Sequence, residues 1–432
     1  MFKNTLIVFL CILSNSFFAQ TSPLEKQLNL LEDIRFSKIR KTANYEEYII
    51  TIKQPIDHFN HSEGYFYQKI YLSHRDYKSP TVMVTAGYNV DRNSTSEIAS
   101  LLDANQIIVE HRYFGESIPK TDDYQFLNLK QATADLHRIN TLFKSLYNKK
   151  WISTGISKGG ATSIFYKYFY PNDVAVSVPY VAPINKEYEE SRIYDFLKEV
   201  GSDTCREAIF NFQTLLLKQR EELLPLLKFY SQGASAKYNY LSLDEAFEYA
   251  VMEYPFSFWQ WGYDCDSIPE ETASIEKLLE HFINVADLTF FSDASIRHYA
   301  SHYYQAATEM GYYGYETKAF KPYLKSLPTD KNPMALFFPF DMKTKFDSSL
   351  LKEINQWLDK EGHHFIYIYG EIDTWSACAV PPNENLDSVW FMLKGKDHAN
   401  ARIKHMTLNE RTLLVETLEQ WLDLKISQSK KF

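Results

Sequence analysis

Between residues 45 and 75 the chain alternates. YEEYIITIKQPID and GYFYQKIYLSH set an apolar side chain at nearly every second position on either side of the turn-rich HFNHSEG, which predicts two half-buried strands. SPTVMVTAGYN, NQIIVEHRYFGES, KKWISTG and DVAVSVPYVAP are short apolar runs of the fully buried kind. NSTSEIASLLD, QATADLHRINTLFKSLY and KGGATSIFYKYFY lie between them with helical spacing. Strands that alternate with helices predict a mostly parallel sheet covered on both faces. From about Ile184 to Ala335 the period becomes helical throughout, in SDTCREAIFNFQTLLLKQREELLPLLKFY, SLDEAFEYAVMEY, ETASIEKLLEHFINVADL and DASIRHYASHYYQAATEMGYY. Strands return in HHFIYIYG and DSVWFMLKG, and TLNERTLLVETLEQWLDLK closes the pattern as an amphipathic helix. The pattern therefore predicts an α/β domain over residues 20–183 and 336–432. A helical block over 184–335 interrupts it between two strands and is a candidate lid.

One junction carries chemistry. In WISTGISKGGATS, a strand turns into a helix at Ser157, with Gly155 and Gly159 two residues to either side. A serine presented on such a turn sits at a strained backbone angle, and its neighbours two residues away must lack side chains. This is the nucleophile elbow of an α/β-hydrolase fold, here with an inserted helical cap. Gly160 and Ala161 let the following helix approach the strands. The backbone N–H of Lys158, at the helix start, is placed to donate into an oxyanion hole.

In this fold the acid and the base follow the serine in that order. Asp373 stands in the loop after the late strand FIYIY, with Glu371 as its rival closer to the strand end. His398 stands in the loop after the last strand, in KGKDHANARI. His363 and His364 precede Asp373, His58 and His111 precede the serine, and His405 lies further along. The second oxyanion donor is expected from the loop after the third strand, at the N–H of Gly87 or Tyr88. EHRYFGES ends the neighbouring strand, so Glu110, Arg112 and Glu116 are expected either at the cleft or in an internal ion-pair network.

Composition narrows the setting. Of the 432 residues, 45% are hydrophobic and 16% aromatic, and the net charge of −9 argues against nucleic acid as a partner. The first residues, MFKNTLIVFLCILSNSFFAQ, read as a signal peptide over 1–19: Lys3, then an apolar run too short to span a bilayer, then Ala19 as the cleavage position. The mature protein is expected in the periplasm or outside the cell, with no membrane anchor. Of the cysteines beyond that leader, Cys205 and Cys265 share the helical middle, and export favours their pairing, with Cys378 left over. No spacing resembles a zinc site, and no metal or cofactor is expected.

IKQPIDHFN, EHRYFGES, QATADLHRI, WISTGISKGGATS, YVAPINKEYEESRIYDFLKEVGSDTCRE and YGEIDTWSA together resemble the secreted bacterial tripeptidyl aminopeptidases, serine peptidases of the PS-ten family and relatives of lysosomal prolylcarboxypeptidase. The resemblance runs from about Gln54 to the C-terminal helix. It implies that Ser157, Asp373 and His398 form the triad. The family usually places proline after the aspartate, where this chain has Thr374. The resemblance also implies a helical cap and release of short peptides from free N-termini, often after proline. A free amine needs carboxylates, and Glu187, Glu189, Glu190 and Asp195 at the start of the cap are candidates. Trp259, Trp261 and Trp375 are candidates for a proline pocket. An esterase or lipase with the same triad, or an inactive binding protein on the same fold, is the alternative reading.

Overall fold

The structure is a computed structural model that describes residues 22–120, 123–327, 337 and 344–431. The expected leader and the boundary at 335/336 lie outside the described residues. Nine strands among them form one sheet: β1 (Ile34–Lys41), β2 (Glu46–Pro55), β3 (Tyr65–His74), β4 (Thr81–Thr85), β5 (Asn105–Val109), β6 (Trp151–Ile156), β7 (Val176–Tyr180), β8 (Ile366–Gly370) and β9 (Val389–Leu393). Their order is β1-β2-β3-β5-β4-β6-β7-β8-β9. The first three strands and the β3–β5 pair run antiparallel, and the pairs from β5 to β9 run parallel. This is the α/β-hydrolase arrangement with one more strand at its edge. β1 was not evident from the pattern because IRFSKIRK buries almost nothing; its basic residues face water, as suits an edge strand. TVMVT is consequently the fourth strand and not the third.

Helices cover the sheet on both faces. α1 (Pro23–Leu28) and α3 (Leu129–Lys144) pack with Ile50, Ile70, Met83 and Ile107, while α2 (Glu97–Leu102) and the C-terminal helix α13 (Leu408–Leu422) pack with Val82, Ile152, Val178 and Ile368. The elbow helix α4 (Lys158–Phe169) and α12 (Ser349–Glu361) share a third cluster around Phe365 and Tyr367.

Between β7 and β8 the described residues are helical: α5 (Arg192–Glu199), α6 (Asp203–Lys218), α7 (Arg220–Gly233), α8 (Leu243–Gln260), α9 (Ile275–Val285), α10 (Asp293–His298) and α11 (Ala300–Gln305), the last running into a π turn at Ala306–Met310. They close around a core of their own that includes Phe212, Leu216, Phe247, Tyr254 and Phe282. A disulfide joins Cys205 on α6 to Cys265, just beyond α8, with Cα atoms 5.4 Å apart; Cys378 is free and buried. α8 is the axis of this block. Ser242 and Glu245 form a capping box at its start, and from Ala246 to Trp259 nearly every residue is buried, as in a helix packed on all sides. Its end reaches the sheet. The Thr374 hydroxyl donates to the Phe256 carbonyl at 2.9 Å, and the His398 backbone N–H donates to the Gln260 carbonyl at 3.0 Å.

Candidate active site

β6 ends at Ile156 and α4 begins at Lys158, so Ser157 alone makes the turn, at φ 58° and ψ −127°. That conformation costs a non-glycine residue on the order of 1–3 kcal/mol and persists only where the surroundings enforce it. They do so by folding back tightly. A Cβ on Gly155 would stand 2.3 Å from the Gly159 carbonyl oxygen, and one on Gly159 would stand 2.4 Å from the Thr85 carbonyl oxygen. The Ser157 N–H is anchored on the Tyr180 carbonyl at 2.9 Å, and the residue opens into a cavity of about 750 Å³.

His398 lines the same cavity. Its Nδ1 lies 2.8 Å from Asp373 Oδ2. Asp373 is wholly buried, and its Oδ1 accepts the Trp375 N–H at 3.1 Å. A carboxylate fixed in this way orients the ring and leaves Nε2 for the cavity. Glu371, the rival acid, is exposed and instead accepts the Gly395 N–H. The other histidines considered lie elsewhere: His58 meets Asp135, His364 meets Asp387, and His405 bonds the Asn400 carbonyl.

The loop after β4 rests directly on the start of α4. A Cβ on Gly87 would meet Lys158 Cβ at 2.7 Å and Gly159 N at 2.8 Å. Lys158 is the first residue of its helix, so its N–H has no acceptor within the helix. Its side chain was expected to matter less than its backbone N–H. It matters as well, because Nζ donates to the Gly87 carbonyl at 2.8 Å and lies over the rings of Tyr88 and Phe114. Burial lowers this amine to about 7, with Glu309 pulling weakly the other way. Two more bonds fix the loop: the His111 N–H to the Tyr88 carbonyl at 3.2 Å, and the Val90 N–H to Glu110 Oε2 at 2.9 Å.

Glu110 is therefore not where a substrate would meet it. It is wholly buried, 3.0 Å from Lys69 Nζ, and takes the Glu116 N–H and the Ser117 hydroxyl as well. Arg112 forks onto Asp135 at 2.7 and 2.8 Å. Of the charges of EHRYFGES, Glu110 and Arg112 are internal and Glu116 is exposed beside Lys69; Glu110, through the Val90 N–H, braces the loop that carries Gly87 and Tyr88.

The acids at the start of the helical block also fall outside the cavity. Glu187 is exposed, Glu189 accepts from the Tyr194 hydroxyl, and Asp195 faces water beside Lys198. Glu190 is committed to Arg192, with Nε 2.7 Å from Oε1, and to the Lys186 N–H. Three carboxylates line the cavity that holds Ser157 and His398: Asp91 and Asp287, both exposed, and the buried Glu253 on α8, together with Ser257, His302, Tyr312, Tyr313 and Trp375. Trp375 packs against Phe256 and Tyr313, with centroids 5.1 and 5.6 Å apart. Trp261 stands edge-on to His398 at 5.9 Å, whereas Trp259 lines a separate cavity of about 810 Å³ within the helical block. Sequence reading missed Glu253 and His302. For Glu253 a signal existed: two glutamates, Glu248 and Glu253, interrupt the otherwise apolar stretch of α8. Glu248 is bound by Arg220 and by the N–H groups of Lys325, Ser326 and Leu327. Among the described residues no such cation meets Glu253.

Residues 26–404 match the PS-10 peptidase S37 family. The chain belongs to that family. The prolyl tri/tetrapeptidyl aminopeptidase of Streptomyces mobaraensis is 31% identical over 370 residues, 84% of this chain and 76% of that one. The lysosomal Pro-X carboxypeptidase of Bos taurus is 27% identical over 197 residues, 39% of this chain and 40% of the other. Among solved structures, the proline iminopeptidase of Mycobacterium smegmatis is 11% identical, covers 86% of this chain and 98% of its own, and has a TM-score of 0.42. This S37 peptidase is a hydrolase, a serine peptidase of the aminopeptidase type. Among its described residues no helix is long and apolar enough to cross a membrane.

Proposed function

We propose that this S37 peptidase releases tripeptides from the free N-termini of peptides, cleaving after proline, through Ser157, His398 and Asp373. The observation that carries the reading is the convergence on one cavity of a serine held on a strained elbow and a histidine whose Nδ1 is fixed by a buried aspartate. His398 Nε2 takes the Ser157 hydroxyl proton as Oγ attacks the scissile carbonyl, and Asp373 stabilises the resulting imidazolium. The backbone N–H groups of Lys158 and of the Gly87–Tyr88 loop face the oxyanion. Collapse breaks the C–N bond, His398 returns its proton to the leaving amine, and water releases the acyl group by the same steps in reverse. The proline and a unit of three or four residues rest on the 31% identical relative, a prolyl tri/tetrapeptidyl aminopeptidase by name; of the two lengths the proposal takes three. The aromatic wall of Trp375, Tyr312 and Tyr313 offers an apolar seat for a proline ring. The leader pattern of residues 1–19 and the Cys205–Cys265 disulfide support export to an oxidising compartment.

The test is product analysis by mass spectrometry on a decapeptide with a free N-terminus and proline in third position. Release of the N-terminal tripeptide is expected. Ser157→Ala should lower kcat by about 10⁶ with an unchanged melting curve. Internal cuts, turnover of short-chain esters alone, or activity retained by the variant would contradict the assignment.

A further inference from the structure

We propose that Glu253 is the acceptor for the substrate's N-terminal ammonium group, and that α8 thereby measures the length of peptide removed. This rests on the exopeptidase reading above and gives it a residue. Glu253 lines the cavity that holds Ser157 and His398, yet is itself 6% exposed. Its partners are hydroxyls only: Tyr313 donates to both carboxylate oxygens at 2.9 Å, Tyr315 to Oε2 at 2.9 Å, and Ser257 to Oε1 at 3.2 Å. Tyr313 has one proton for two oxygens, so the carboxylate keeps acceptor capacity. Among the described residues no lysine, arginine or histidine pairs with it. A buried carboxylate without a cation is costly unless a charge arrives to meet it, and an α-ammonium group supplies that charge. The other acids on the cavity, Asp91 and Asp287, are exposed at its rim.

Position on the helix adds the ruler. Gln260, whose carbonyl holds the His398 backbone, lies seven residues beyond Glu253 on the same helix. At about 1.5 Å per residue that is roughly 10 Å, which an extended peptide covers in about three residues at roughly 3.3–3.6 Å each. In this proposal a unit of about three residues, and not two, reaches from Glu253 to the end of α8 that holds His398.

The pH dependence of the preference follows. Burial raises the Glu253 carboxyl to about 7. The titratable groups around it are Tyr303, Tyr312, Tyr313 and Tyr315, all pushed to well above their ordinary range and so neutral here. The preference for a free amine should fall as pH drops through about 7 and the carboxylate protonates. It should fall again above about 8, where the substrate amine loses its proton.

The experiment compares kcat/KM for a free-amine tripeptidyl-proline anilide, its N-acetylated copy and the dipeptidyl analogue, in wild type, Glu253→Gln and Glu253→Asp. Labelling of Ser157 by a fluorophosphonate reports whether the triad is intact in each. Glu253→Gln is expected to lose roughly 100-fold on the free-amine substrate, mainly in KM, to bring the ratio of free-amine to acetylated turnover close to one, and to lose the pH dependence of that ratio. Glu253→Asp should keep part of the preference. A wild-type preference that survives intact in a labelled Glu253→Gln, or in Glu253→Ala should the glutamine variant not fold, overturns the role of Glu253 and leaves the exopeptidase reading standing. Equal wild-type turnover of free and acetylated substrates overturns both.

Discussion

Lys158 follows Ser157, the proposed nucleophile, and contributes twice. Its main chain supplies a first-turn N–H, and its amine holds the Gly87 carbonyl from inside the protein. A buried amine is tolerated only when hydrogen-bonded, and this one spends its bond on the loop proposed to carry the second oxyanion donor. Lys158→Met keeps the apolar stem over Tyr88 and Phe114 and removes that bond. Steady-state kinetics on the anilide substrate should show kcat down about 10–100-fold, the scale expected of a small misplacement near the reacting atoms, with KM little changed. An unaltered kcat would mean that the His111 and Glu110 bonds hold the loop unaided. At this scale the sequence was partly legible. Ser157, Asp373 and His398 sit in slots set by local strand, turn and helix order, so their placement could be read. What the amine of Lys158 touches depends on a loop 71 residues earlier in the chain, and no local pattern reports that.

α8 links two levels of the molecule, since its middle lies in the helical block's own core and its last turn holds the loops of Asp373 and His398. The disulfide between Cys205 and Cys265 closes a 60-residue segment that contains this helix. Replacing both cysteines by serine should cost about 2–4 kcal/mol, read as a lower melting temperature, while kcat at 25 °C stays close to wild type. A variant with an unchanged melting temperature would show that packing alone holds the segment. The helices of the block were visible in the apolar period. Which face of α8 meets the cavity was not, because a helix buried on all sides has no polar face to orient it. Glu187 and Glu190 were expected to meet the substrate for their place at the block's start, and Arg192 and solvent take them instead. Glu253, inside an apolar run, was the informative carboxylate.

The whole molecule joins a twisted sheet, which presents Ser157, Asp373 and His398 at the ends of β6, β8 and β9, to a helical block that walls in the space above them. The sheet's parallel core was legible because its strands are buried on both faces and read as continuous apolar runs. β1 was not, because an exposed basic edge strand looks like a loop. In the proposed account the helical block is what makes an exopeptidase of the triad: with the Glu253 carboxylate in the same cavity as Ser157, a chain end is favoured over a chain middle. That account depends on Ser157 being the nucleophile. The most direct measurement is reaction of the purified protein with a fluorophosphonate, followed by peptide mapping. The account predicts one adduct, on Ser157, whose formation slows when a free-amine tripeptide ending in proline is present and not when its acetylated copy is. No adduct, or an adduct on another serine, would contradict it.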